Sequence, residues 1–255
     1  MKKATLLLIL TTFGISAFAQ NFKLGLNASP NIGWLSSTDN DIDDDFDYTL
    51  NGSPAKIGIG YGLMFEYGFT DNYLVNVNVN HLMTGGKFEA THLKPSELTQ
   101  PNAGNDASVY FATKYSPVRL NYLYIPATLR LKTNEIGYMK YFGNIGFAGA
   151  FNLGSKTDIT LSYFEYDSEL DAVNTKTDIE KPNLKFQPKF MGTYFVVGGG
   201  GQYSMGENIA LHFGLDVNVG LGGVVSRREY ETYSNLAENA TIKNSFVALN
   251  IGIFL

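Results

Sequence analysis

The stretch that decides the fold is Ile209-Ala210-Leu211-His212-Phe213-Gly214-Leu215-Asp216-Val217-Asn218-Val219-Gly220-Leu221-Gly222. One parity is wholly apolar: Ile209, Leu211, Phe213, Leu215, Val217, Val219 and Leu221. The other is small or polar: Ala210, His212, Gly214, Asp216, Asn218, Gly220 and Gly222. A period of two belongs to a strand, whose successive side chains point to opposite faces. The run is longer than the about 5–6 residues of an ordinary globular strand. It also exceeds the about 9–11 residues that a tilted strand needs to cross a bilayer.

Working outward, the same pattern recurs. Tyr73, Val75, Val77 and Val79 face away from Asn76, Asn78 and Asn80. Ile57, Ile59, Tyr61, Leu63, Phe65 and Tyr67 oppose Lys56, Gly58, Gly60, Gly62 and Glu66. Val247, Leu249, Ile251, Ile253 and Leu255 oppose Ala248, Asn250, Gly252 and Phe254. Four noisier apolar-rich segments lie at 22–35, 117–132, 138–154 and 190–204. Tight turns fall at Gly68–Asn72, Thr133–Gly137 and Met205–Asn208, and long polar stretches at 36–55, 87–116, 155–189 and 223–242. Three short and four long connections join eight strands and leave both ends on the short-turn side. That is the plan of a transmembrane, eight-stranded, antiparallel up-and-down β-barrel, with short periplasmic turns and long outer loops. The polar parity is small and amide-rich, as a narrow lumen filled by side chains requires.

The N-terminus reads as a signal peptide over residues 1–19. Lys2 and Lys3 supply the positive region, Ala4–Ile15 the apolar one, and Ala17-Phe18-Ala19 the small-x-small cleavage pattern before Gln20. Residues 20–255 then form one barrel domain in the outer membrane of a Gram-negative cell. Every later apolar run is interrupted by charges, asparagines or glycines, so no helix is expected to span a bilayer; a closed barrel satisfies its backbone groups internally instead. The 16 Tyr, 18 Phe and 27 Gly suit aromatic girdles and tight strand packing. Cysteine is absent, which excludes a disulfide framework and thiolate chemistry. Without Lys2 and Lys3 the chain has 17 basic and 24 acidic residues, none of the basic ones clustered, which argues against a nucleic-acid partner.

Several charges fall on the inward parity near the short turns: Lys23, Glu66, Arg130 and Lys140, with His212 and Asp216 further in. Buried charges must be paired, so the first four are expected to meet at one depth near the periplasmic mouth, and the six together to form an interior salt-bridge network that plugs the barrel. His81, on the outward parity near the outer rim, is the weak candidate for a catalytic base. The run Asp39–Asp47 begins like a calcium loop, but its sixth position is Asp44 rather than Gly and its twelfth Leu50 rather than Glu, so a solvated loop is expected. Gly58–Gly62 and Gly198–Gly201 lead into no helix and are not phosphate cradles. Tyr67, Phe69, Tyr73, Tyr138, Tyr141 and Tyr203 fit an interfacial girdle. Tyr110, Phe111, Tyr115, Tyr163, Phe164 and Tyr166 fall in the two longest loops, where they either anchor a partner or extend strands above the membrane. No catalytic residue, cofactor or metal site is expected.

The segment Tyr122-Leu123-Tyr124-Ile125-Pro126-Ala127-Thr128-Leu129-Arg130-Leu131-Lys132 resembles the tyrosine-leucine-x-isoleucine-proline strand of the PorT-like outer-membrane barrels of the Bacteroidota. Phe22-Lys23-Leu24-Gly25-Leu26-Asn27-Ala28 is similar to that family's opening strand. Tyr124 stands where many relatives carry an acid. The resemblance implies an eight-stranded outer-membrane barrel and little about activity, since the name-giving member serves a secretion apparatus and most others are uncharacterised. The expected function is therefore a non-enzymatic, monomeric barrel. Its partners would be outer-membrane lipid and lipopolysaccharide, the barrel-assembly machinery, and a protein bound through the outer loops. The alternatives are a lipid-modifying enzyme at the outer rim and a soluble lipocalin-like binder, the latter requiring an apolar inward parity.

Overall fold

Strands that alternate over this length can bury their polar parity only by closing on themselves, and these do. The computed structural model describes residues 22–37, 48–53, 55–92, 109–155, 159–167, 172–180, 188–206, 209–224 and 242–255. The segment 1–19 and the acidic run Asp39–Asp47 lie outside the described residues. The strands are β1 (Phe22–Ser37), β2 (Tyr48–Ser53), β3 (Lys56–Gly68), β4 (Tyr73–His92), β5 (Val109–Lys132), β6 (Met139–Asn152), β7 (Ile159–Asp167), β8 (Ala172–Glu180), β9 (Met191–Ser204), β10 (Ala210–Gly220) and β11 (Ile242–Phe254).

The wall runs β1-β3-β4-β5-β6-β9-β10-β11, every pair antiparallel, and β11 returns to β1 with Leu26 opposite Ile253 and Asn31 opposite Ala248. Eight strands thus close into a barrel with no free edge in the wall. Two prolines interrupt the ladder. Ser29 and Pro30 have no partners in β11, and Ile125 and Pro126 none in β4, while the registers on either side continue unchanged. Proline has no N–H to donate there.

The short-turn end is stitched by backbone bonds between neighbouring turns. Lys132 N–H donates to Asn72 O at 2.9 Å, Thr133 N–H to Tyr141 O at 2.8 Å, and Ser204 N–H to Tyr138 O at 2.9 Å. The reversal from β5 to β6 is closed by Ile136 N–H to Met139 O at 2.8 Å, with Gly137 at φ 68°, a left-handed conformation that favours glycine.

At the other end the structure adds what periodicity did not reveal. β4 and β5 continue past the wall and stay paired as far as Thr91 opposite Ala112; β2 adds to β4, β7 to β5, and β8 to β7. The long connections therefore carry a sheet in the order β2-β4-β5-β7-β8 rather than irregular loop alone. Ala172–Glu180 has no lipid-facing parity, so the apolar alternation that marks wall strands is missing from it.

Outward side chains form the apolar belt: Leu24, Leu26, Ile57, Ile59, Leu63, Phe147, Leu215, Leu249 and Ile251 are all exposed. The lumen is not uniformly polar, as the alternation of the clean strands implied. Its short-turn half holds Glu66, Arg130, Lys132, Asn144, Gln202 and His212. Its far half is filled mainly by Leu35, Leu82, Val118, Leu120, Tyr122, Tyr124, Tyr194, Val196 and Phe246, all buried. Most of these come from β5 and β9: in β5 the polar residues Arg119 and Asn121 lie on the outward parity, opposite to the pattern of the clean strands, and in β9 both parities around Tyr194–Val197 are apolar. The rings of Tyr124, Tyr194 and Phe246 pack mutually edge-on at 5.5–5.8 Å, so this half is a packed core rather than a ligand cavity.

Candidate functional site

Glu66, one residue pair before the β3–β4 turn, is the centre of the polar half. Its carboxylate is 1% exposed and lies between two cations of β5. Arg130 Nη1 donates to Oε2 at 2.8 Å and Lys132 Nζ to Oε1 at 2.5 Å. The pair Arg130 and Lys132 share a parity two residues apart, so one strand aims both at the same carboxylate. Gln202 Nε2 of β9 adds a third donor to Oε2 at 3.4 Å.

From there a chain of hydrogen bonds climbs the lumen. Arg130 Nε donates to Asn144 Oδ1 at 2.8 Å, and Asn144 Nδ2 to Asp216 Oδ1 at 3.4 Å. Asn250 Nδ2 donates to Asp216 Oδ2 at 2.7 Å, Ser29 Oγ to Asn250 Oδ1 at 2.6 Å, and Asn27 Nδ2 to Ser29 Oγ at 3.1 Å. Two carboxylates and two cations make this plug electrically neutral, which a low-dielectric interior demands. Above Asp216, Asn218 Nδ2 donates to Asp216 O at 3.2 Å and accepts the Tyr124 hydroxyl on its Oδ1. A pocket of about 20 Å³ between Ser29, Asn78, Pro126, Asp216 and Asn250 has room for about one water molecule.

Glycine spacing lets these groups in. A Cβ at Gly198 would stand 1.9 Å from Asp216 Oδ1, and one at Gly200 2.8 Å from the Phe142 ring. That ring fills the lumen beside the plug: the Arg130 guanidinium carbon sits 4.3 Å from its centroid, and His212 stacks on it at 4.8 Å and 16°. Cation–π contact supplements the ion pairs around Arg130.

The plug forms the floor of a cup of about 410 Å³ that opens at the short-turn end, lined among others by Lys23, Asp71, Lys132, Thr133, Glu135 and Gln202. Around that mouth the exposed Phe69, Tyr73, Tyr138, Tyr141 and Tyr203 ring the barrel, with Tyr67 edge-on to Phe69 at 5.3 Å and Tyr138 6.2 Å from Tyr203.

A closed eight-stranded wall, an apolar belt, an aromatic ring and an ionic lumen agree with what the sequence comparison gives: residues 18–190 match the family described as outer membrane protein beta-barrel domain. The chain belongs to that family. No protein of curated function matches the sequence. Among solved structures, this outer-membrane barrel is similar to the Neisserial surface protein NspA, at a TM-score of 0.43 and 10% identity over 92% of this chain and 96% of that one. It is also similar to OprG from Pseudomonas aeruginosa (TM-score 0.44, 11% identity, 92% and 96%). The outer membrane protease OmpT from Escherichia coli is a third (TM-score 0.46, 9% identity, 92% and 95%). Identities this low bear on neither activity nor partner.

In the outer-membrane barrel only three of the six residues expected as one network join it. Glu66 and Arg130 meet directly, and Asp216 joins them through Asn144. Lys140 does not join: it lies at the rim, where its ammonium pairs with Glu135 of the β5–β6 turn at 3.4 Å, both about two-fifths exposed. Lys23 is exposed in the cup and forms no ion pair among the described residues, although it stands opposite Glu66 in the β1–β3 register. His212 is 3% exposed and makes ring contacts with Phe142 and Phe254 rather than ion pairs. The residue that sequence reasoning missed is Lys132, on the same parity as Arg130 and therefore identifiable from spacing alone.

His81 is on the lipid-facing side, as its parity requires, 5.3 Å from the Tyr61 ring; its Nδ1 has no hydrogen-bond partner among the described residues. A catalytic base needs an orienting partner on that nitrogen.

Proposed function

We propose that this chain is a non-enzymatic outer-membrane barrel of the PorT-like kind found in Bacteroidota, exported by a signal peptide cleaved after Ala19. In this reading it is folded as a monomer by the barrel-assembly machinery among lipid and lipopolysaccharide, and its long-loop side binds a protein partner or supports an envelope complex. The observation that carries the reading is the sheet β2-β4-β5-β7-β8, which continues the wall beyond the barrel on the long-loop side. A barrel with a merely structural role has no need of paired strands there. They supply a rigid platform for a contact surface, and a filled lumen leaves little room for a transport role.

The test is removal of residues 159–180, the β7–β8 hairpin, with proximity labelling on intact cells. The expected outcome is loss of labelled envelope partners while the folded barrel keeps its heat-modifiable gel mobility. Retention of every partner by the shortened protein would rule this surface out. The lipid-modifying alternative is tested by His81→Ala: an unchanged envelope lipid profile counts against it.

A further inference from the structure

We propose that the cup at the short-turn mouth is a binding site for a short free peptide, taken up with its carboxylate at the floor and its amino end at the rim. This goes beyond the loop-borne role, which concerns the opposite end of the barrel. The cup holds about 410 Å³ and faces the periplasm, where short turns lie. That volume falls in the range of sites that enclose small ligands, about 300–1,000 Å³.

The charge layout picks the ligand. Within the plug, Glu66 and Asp216 balance Arg130 and Lys132, so the Lys23 ammonium is left over, and it opens into the cup. Lys132, 8% exposed, also lines the cup; an ammonium carries three donors, and one of them is taken by Glu66 at 2.5 Å. The Lys23 and Lys132 ammonium groups line the cup together with the Glu66 carboxylate, which is already held by Arg130 and Lys132, so this part of the lining carries a net positive charge and free donors, with the Gln202 amide beside it. The rim has the opposite sign. Asp71 makes no ion pair among the described residues, and Glu135 is engaged only by the half-exposed Lys140 at 3.4 Å. Thr133 and Asn134 add hydroxyl and amide groups to the lining. Positive floor, polar wall and acidic rim complement one kind of molecule: a zwitterion with a carboxylate and an ammonium separated by peptide groups.

The experiment uses the full mature chain refolded in detergent micelles and titrated calorimetrically with the dipeptide Ala-Ala, its C-terminal amide, its N-acetyl form and inorganic phosphate. Ala-Ala is expected to bind in the millimolar range or better, and the amide about tenfold more weakly, as charge-assisted hydrogen bonds are worth roughly that factor. Lys23→Gln, an exposed substitution outside the plug, is expected to weaken Ala-Ala severalfold without altering the folded fraction. Asp71→Asn is expected to weaken Ala-Ala but leave N-acetyl-Ala-Ala unchanged, which a purely structural role of Asp71 would not do. No heat change up to ~10 mM, equal affinity for acid and amide, or full competition by phosphate would each overturn the assignment. A failure here leaves the loop reading intact, because the hairpin deletion does not touch the cup.

Discussion

Replacing Glu66 by Gln removes one charge from the centre of the plug and keeps its shape. In the native barrel the carboxylate receives Arg130 at 2.8 Å and Lys132 at 2.5 Å, all three side chains nearly inaccessible to water. In Glu66→Gln the amide oxygen can accept from one cation only, and its NH₂ is turned toward the other. Two positive charges then share the site with Asp216 as the sole remaining anion, one Asn144 away. Losing one member of a buried ion pair costs about 3–5 kcal/mol, mostly from the charge left uncompensated. The isosteric change retains one hydrogen bond, so the lower end, about 3 kcal/mol, is expected. Against a total stability of about 5–15 kcal/mol this is a large fraction. Urea unfolding from lipid vesicles, followed by loss of heat-modifiable mobility and by fluorescence of Trp34, the single tryptophan, measures it. The double variant Glu66→Gln with Lys132→Met restores neutrality and should recover half or more of the loss. Glu135→Gln, which breaks only the exposed pair with Lys140, should change stability by less than about 1 kcal/mol. A Glu66→Gln barrel as stable as the parent, or a double variant no better than the single, would refute the claim that charge balance holds the plug.

Two further outcomes follow from packing. Gly198→Ala places a methyl group 1.9 Å from Asp216 Oδ1 and 2.4 Å from Leu215 O, so the same unfolding assay should give a loss of about 1–3 kcal/mol. Gly206→Ala, whose Cβ would meet nothing within 4 Å, should be neutral and serves as the control. Phe246→Ala empties the middle of the aromatic trio, where the ring is 1% exposed, and should cost about 3–5 kcal/mol while leaving the ionic half of the lumen intact. Equal stability of the Phe246→Ala barrel would mean that the outer half of the lumen is not a packed core.

Much of this architecture was written in the residue pattern. β10 and β11 were legible because their outward parity meets lipid and is apolar throughout β10 and from Val247 onward in β11, whereas their inward parity meets a narrow lumen and mixes polar residues and glycines with the buried Phe246 and Phe254. β5 and β9 were less so: Leu120, Tyr122, Tyr194 and Val196 are apolar and face inward, and no polar inward parity distinguishes lumen core from lipid face. β2 and β8 carry no apolar alternation in their sequence, and that of β7 (Ile159, Leu161 and Tyr163) is short. Of the site, the Glu66–Arg130 contact followed from parity and depth. The contribution of Asn144 could not, because an amide bridge between a guanidinium and a carboxylate depends on how far the barrel staggers one strand past the next. Lys140 lines the cup at the expected end of the barrel, but its long side chain reaches Glu135 of the adjoining turn instead of Glu66.

The hydrogen-bond chain from Lys132 to Asn27 runs from β5 to β3, back to β5, and on through β6, β10 and β11 to β1, and its step from Asn250 to Ser29 crosses the seam where the final strand meets the first. During assembly, therefore, Asp216 lacks its Asn250 donor, and Ser29 its acceptor, until the C-terminal strand docks. Insertion and wall formation can proceed strand by strand, but the interior balances only when residues more than two hundred positions apart in sequence are brought together. Contacts of such separation form late because of the loop-closure entropy they require. Zipping the seam and completing the plug are then a single cooperative event. An open barrel is penalised in its core as well as along its exposed edges, so sealing of the wall and ordering of the lumen should be recorded by the same kinetic phase.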